Sequence, residues 1–270
     1  MTSCRSHPRA EQSEQPVLRR KITLTGKEVN VDFYLPQQAA EAPVVAVAHG
    51  FTRSRLNMAG WGSLLASNGF IVAVPDLPSL GVHARNGRAL RELIQRVNDR
   101  EFFSAPKPNG AGALMGFSAG GLASLLAASS NTTVRCWIGL DPVDIRRRGA
   151  KAAGALKIPC LVLQAEKSVW NARGNSKQIV DNLPGPFLAF RVKGAVHVDG
   201  ENPTDGFAEL TCGKSDPARR EVFERASVAA LRAVLFGEER ALDVLRSVAE
   251  DPMVKDVRLK HLERFRQPTL

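Results

Sequence analysis

Apolar residues fall into two kinds of run along this chain. Lys21-Ile-Thr-Leu-Thr25 and Val29-Asn-Val-Asp-Phe-Tyr-Leu35 alternate apolar with polar positions on either side of a Gly26 turn, which predicts an antiparallel pair of strands. By contrast, Val44–Ala48, Phe70–Val74, Ala111–Met115, Val134–Leu140 and Pro159–Leu163 are nearly unbroken apolar runs, as expected of strands covered on both faces. Phe187–Val192 completes the set. Helices are expected between these strands, at Asn57–Ser67, 83–100, Leu122–Ala128 and around Ser176–Asn182. In the second of them Leu90, Leu93, Ile94 and Val97 recur on one apolar face. Pro217–Leu235 and Glu238–Ala249 also read as helices. Strands alternating with helices through short connections define an α/β chain with a mainly parallel sheet, helices on both faces, and functional groups at the carboxyl ends of the strands. The expected layout is a disordered leader over 1–16, a single domain over 17–238 and a helical C-terminal extension over 239–270.

Composition narrows the function. With 270 residues, 44% of them hydrophobic, the chain can bury a substantial core. No apolar run approaches the ~18 residues that a membrane-spanning helix needs. The opening, MTSCRSHPRAEQSEQPVLRR, lacks the apolar segment of a secretory signal, so a cytoplasmic protein is expected, or a secreted one if a signal has been removed. A net charge of +10 raises affinity for any polyanion. The cations are nonetheless scattered, there is one Tyr, and neither an RNA-binding aromatic signature nor zinc-finger spacing occurs, so no specific nucleic-acid partner is expected. Cys4, Cys136, Cys160 and Cys212 are widely spaced with no CxxC pair, and no cofactor or metal is implied.

The chemistry begins at GFSAGG, residues 116–121, where an apolar run meets a small-residue helix. Gly116-x-Ser118-x-Gly120 is the pattern of a nucleophile elbow, in which the serine sits on a strained turn too tight for flanking side chains. A serine hydroxyl becomes a useful nucleophile only beside a base, and the base needs a carboxylate to orient it. Of five histidines, His261 lies in the tail, and only His197, in VKGAVHVDG, follows the last expected strand after a glycine-containing loop. Two carboxylates follow strands in the right order, Asp141 in GLDPVD and Glu166 in LQAEKS. Oxyanion donors are expected from the N–H of Ala119, directly after the nucleophile, and from that of Phe51 in the early loop HGF.

With HGF, GFSAGG and GAVH in this order, the chain resembles the α/β-hydrolase superfamily over roughly residues 20–237. AHGFTRSRLNMAGWGSLLASNGFIVAVPD looks like the corresponding segment of chlorophyllases and of polyester hydrolases or cutinases. GLDPVD is similar to the chlorophyllase acid motif, and that resemblance carries the catalytic acid onto Asp141. Polyester hydrolases place the acid after the next strand, in a pattern like GAExD; here QAEKS puts Ser168 at that position. The resemblance implies an α/β-hydrolase fold without a separate lid domain and a serine hydrolase of carboxylic esters using Ser118, His197 and Asp141. Its partner would be a small-molecule or polymeric ester, bulky or hydrophobic. Alternatives that keep these residues are a thioesterase, a perhydrolase, or a non-catalytic binding protein on the same fold.

Overall fold

In the computed structural model, which describes residues 17–266, the alternating segments form a hairpin. Its strands β1 (Val17–Leu24) and β2 (Lys27–Tyr34) pair antiparallel with Leu24 opposite Lys27. The unbroken apolar runs become β3 (Glu41–Ala48), β4 (Ile71–Pro75), β5 (Lys107–Phe117), β6 (Val134–Leu140), β7 (Cys160–Gln164) and β8 (Phe187–Val192). These six pair in parallel in the order β4-β3-β5-β6-β7-β8, and the hairpin joins antiparallel at β4. Strand alternation splits β3 between two cores. Val45 and Val47 pack toward α1 (Ala59–Ser67), α7 (Pro217–Phe236) and α8 (Glu239–Ala249). Val44, Ala46 and Ala48 pack toward α2 (His83–Asn98), α3 (Ala119–Ala128), α4 (Arg148–Ala153) and α5 (Lys177–Asp181). That double burial is why these strands carry no polar alternation.

The expected apolar face of α2 is fully buried at Leu90, Leu93, Ile94 and Val97. The long α7 starts where its chemistry demands: Asp216 caps the N–H groups of Ala218 and Arg219, Pro217 occupies the first turn, and Gly237 ends the helix at φ +70°. Two short helices, α4 and α6 (Gly206–Cys212), have no counterpart among the expected elements. Each is too short to show a helical period.

The C-terminal segment departs from its expected helical character. After α8, residues Val254–Lys260 form a ninth strand, β9, antiparallel to β8 at the edge of the sheet. The sequence VKDVRLK conceals it because only Val254 is buried and the remaining positions are mostly charged. Charge is what an exposed edge strand carries to resist pairing with other chains. Backbone pairing with β8 sets its register, and ion pairs flank it, Lys255 with Glu166, Asp256 with Arg191 and Arg258 with Asp181. The leader expected over 1–16 lies outside the described residues.

Candidate active site

Ser118 joins β5 to α3 with φ +53° and ψ −118°, a strained conformation for a residue with a side chain. Its neighbours allow the turn by lacking Cβ atoms. A Cβ on Gly116 would overlap the Gly120 carbonyl, and one on Gly120 would overlap the carbonyls of His49 and Ala48. The elbow is also tied to the next strand's end: Ser118 N–H donates to Leu140 O at 3.0 Å, and Val143 N–H donates to Ser118 O at 3.2 Å. Serine and the β6 loop are therefore held as one unit.

Asp141 follows β6 at φ +41°, with its N–H donating to Leu163 O at 2.6 Å. Its side chain is fully buried, so every lone pair needs a donor. Oδ1 accepts from Ala165 N–H at 3.1 Å, and Oδ2 accepts from Asn171 Nδ2 at 3.0 Å. His197 Nδ1 lies 2.6 Å from the same Oδ2, while His197 Nε2 lies 2.9 Å from Ser118 Oγ. The imidazole thus spans from carboxylate to hydroxyl, buried, with the Phe117 ring 4.7 Å away between centroids. A Cβ at Gly50 or Gly200 would press on that ring, so the HGF loop and the His197 turn close on the elbow from two sides.

Glu166 faces elsewhere. Its Oε1 accepts from Lys255 Nζ at 2.6 Å and from Gly194 N–H at 3.1 Å. Burial raises its carboxyl, but these donors outweigh it and hold the group below the usual carboxylate range.

On the opposite side of the serine, Phe51, Ala119, His49 and Leu80 share a cavity of about 250 Å³. Ala119 opens α3, so its N–H has no acceptor within the helix. His49 Nδ1 lies 2.8 Å from Gly50 O, and Leu77 N–H donates to Nε2 at 2.9 Å. Burial pushes the His49 imidazole below its ordinary pKa. A neutral ring with its proton on Nδ1 satisfies both backbone groups and braces the loop.

Three supports of the site escape a reading of the sequence. Asn171 bridges Asp141 to the Glu166 carbonyl at 2.8 Å, while its Oδ1 accepts from Ser168 and Gly174 N–H groups at 2.9 Å each. Arg53, two residues after Phe51, grips Glu201 through Nε at 2.6 Å and Nη2 at 2.8 Å, joining the HGF loop to the His197 turn. Asp199 is fully buried and accepts from Arg219 Nε at 2.7 Å and Val196 N–H at 2.8 Å, pinning that turn to α7. The only signal for the last two was the acidic density of HVDGE, which in a loop ordinarily means solvent.

The wall of the cavity beside Ala119 is largely polar, with Thr52, Arg53, Ser54, Asp76, Ser79 and Asn86, and exposed apolar side chains stand beside it. Phe51 and Leu80 are exposed beside the cavity, and Trp170 follows the strand next to Asn171. The Trp170 indole donates to Thr211 O at 3.0 Å, joining this loop to α6, where Phe207 and Leu210 are also exposed. No helix among the described residues is long and apolar enough to cross a membrane.

Strands β5, β6 and β8 deliver serine, carboxylate and imidazole to one edge of a mostly parallel sheet, and this arrangement defines an α/β-hydrolase. The chain belongs to the PET hydrolase-like (PETase) family, which matches residues 20–185. Membership makes it a hydrolase acting on esters. The matched span takes in Phe51, Ser118, Asp141 and Glu166 and ends before His197. No curated protein matches the chain.

Proposed function

We propose that the protein hydrolyses carboxylic esters through an acyl-enzyme built on Ser118, His197 and Asp141. The observation that carries this reading is the contact chain from Ser118 Oγ to His197 Nε2 at 2.9 Å and from His197 Nδ1 to Asp141 Oδ2 at 2.6 Å. Ser118 Oγ attacks the ester carbonyl carbon while its proton passes to His197 Nε2. The negative oxygen of the tetrahedral intermediate is received by the N–H groups of Phe51 and Ala119. Collapse breaks the ester C–O bond, and His197 returns the proton to the departing alkoxide. A water molecule then attacks the acyl carbon and gives a proton to His197. The second collapse breaks the acyl–Ser118 bond, returns that proton to Oγ and releases the acid. Asp141 orients the imidazole and stabilises its cationic form without itself taking the proton.

The exposed Phe51 and Leu80 beside the cavity, with Trp170 exposed on the Asn171 loop, support a hydrophobic, bulky ester, because exposed apolar side chains favour a substrate that brings apolar surface to them. A fluorophosphonate should label Ser118 covalently, and Ser118→Ala should abolish labelling and lower ester turnover by about 10³-fold or more. Turnover near the wild-type level in that variant would exclude Ser118 as the nucleophile. Initial rates on p-nitrophenyl esters of increasing chain length, beside release of acid from a polyester film, should favour the longer and polymeric substrates.

A further inference from the structure

Behind the β7 loop, between α5 and the edge strand β9, lies a cavity of about 460 Å³. Its wall holds five cationic side chains, Lys167, Arg173, Lys177, Arg191 and Arg258, against one carboxylate, Asp256. Asp256 is already paired with Arg191 at 3.1 Å, and Asp181 outside the wall is shared by Lys177 at 2.6 Å and Arg258 at 2.7 Å. Neither Lys167 nor Arg173 has a carboxylate within ion-pair distance among the described residues. The Lys167 stem lies over Gly174, where a Cβ would come within 3.0 Å of its Cγ. Arg191 is buried and donates through Nη1 to the Ala165 carbonyl, so one cation of the wall is rigidly held.

We infer that this cavity binds a compact multivalent oxyanion, its phosphoryl or carboxylate oxygens facing the unpaired Lys167 and Arg173. A concave site ringed by cations concentrates field and favours multivalent anions over chloride. The site sits one layer behind the catalytic carboxylate. Lys167 and Arg173 flank Asn171, which donates to Asp141, and Ala165, held by Arg191, also donates to Asp141. A bound anion would therefore fasten the 166–175 loop to β8 and β9.

Calorimetric titration of the full chain with pyrophosphate and with citrate, each in ~150 mM NaCl where surface charges are screened beyond ~8 Å, tests this without reference to ester hydrolysis. Saturable one-site binding of at least one of the two is expected, and the better binder assigns phosphoryl or carboxylate chemistry. Binding should weaken at least tenfold in Lys167→Gln/Arg173→Gln and persist in the charge-preserving Lys167→Arg/Arg173→Lys. It should be unchanged in Arg20→Gln/Lys21→Gln, which removes the same charge from β1 at the opposite edge of the sheet. Amide hydrogen exchange over 166–175 should slow on binding. Absence of saturable binding by both anions, or equal weakening in the β1 variant, would overturn the site. Binding without protection of 166–175 would overturn the fastening of the loop.

Discussion

Two carboxylates stand in comparable places, Asp141 just past the end of β6 and Glu166 just past the end of β7, and they have opposite fates. Asp141 is fully buried, receives N–H donors from Ala165 and Asn171, and meets the His197 ring. Glu166 is partly exposed, and its Oε1 accepts from Lys255 of β9 and from the Gly194 amide. The β7 loop still serves the site, but through the Asn171 amide and the Ala165 backbone rather than through its own acid. The carboxylate that meets the imidazole is the one on which Ala165 N–H, Asn171 Nδ2 and His197 Nδ1 converge. Glu166 points toward the neighbouring edge strand, where Lys255 pairs with it, while Asp141 receives a neutral amide and faces the histidine.

The largest expected effect attacks the Asp141 side of this contrast. Asp141→Asn keeps the volume but removes the charge, and should cut turnover about 10⁴-fold, the loss known for the equivalent change in a serine-protease triad. Adding Lys255→Gln to that variant releases Glu166 from its partner. Turnover should stay as low as in Asp141→Asn alone, and recovery of a tenth or more of wild-type activity would show the two carboxylates to be interchangeable.

A middle-sized effect is expected at Asn171. Losing a hydrogen bond to a charged group costs about 1.5–3 kcal/mol. If that falls on the orientation of Asp141, Asn171→Ala should lower kcat roughly 10- to 100-fold with little change in KM. A rise in KM at constant kcat would instead place Asn171 at the substrate, detached from the acid.

The smallest effects belong to Glu166. Glu166→Gln should change turnover by less than about twofold, as for substitutions away from the chemistry. Its contribution to stability should depend on pH. A carboxyl held below its unfolded value, ~4.3, contributes stability that is present above that value and lost as pH falls through the lower folded one. Wild type should melt slightly above Glu166→Gln at neutral pH, and the difference should vanish in acid. A difference that persists unchanged at about pH 3 would mean that the Lys255 contact is not what holds Glu166.

The sequence by itself determines the elements whose burial is one-dimensional. An apolar run of strand length, an alternating hairpin, or a helix with a sustained face such as Leu90-Leu93-Ile94-Val97 shows its environment in its own period. Ser118, His197, Phe51 and Ala119 can be picked out as candidates for a similar reason, since the glycines around them and their position after strands are local facts. The choice between Asp141 and Glu166 is not local, because both follow strands and both satisfy chain order. It depends on Asn171 and Ala165 converging on one carboxylate and Lys255, some ninety residues downstream, claiming the other. The edge strand that carries Lys255 is itself invisible to hydrophobic pattern, since a charged strand with one buried residue has no period to read. The same holds for Arg53–Glu201 and for Asp199, ordinary loop charges in one dimension that are paired and structural, with both carboxylates buried, only when the HGF loop, the His197 turn and α7 meet. Pattern records what a residue's own segment buries, and only the tertiary structure decides which partners from distant segments share that burial.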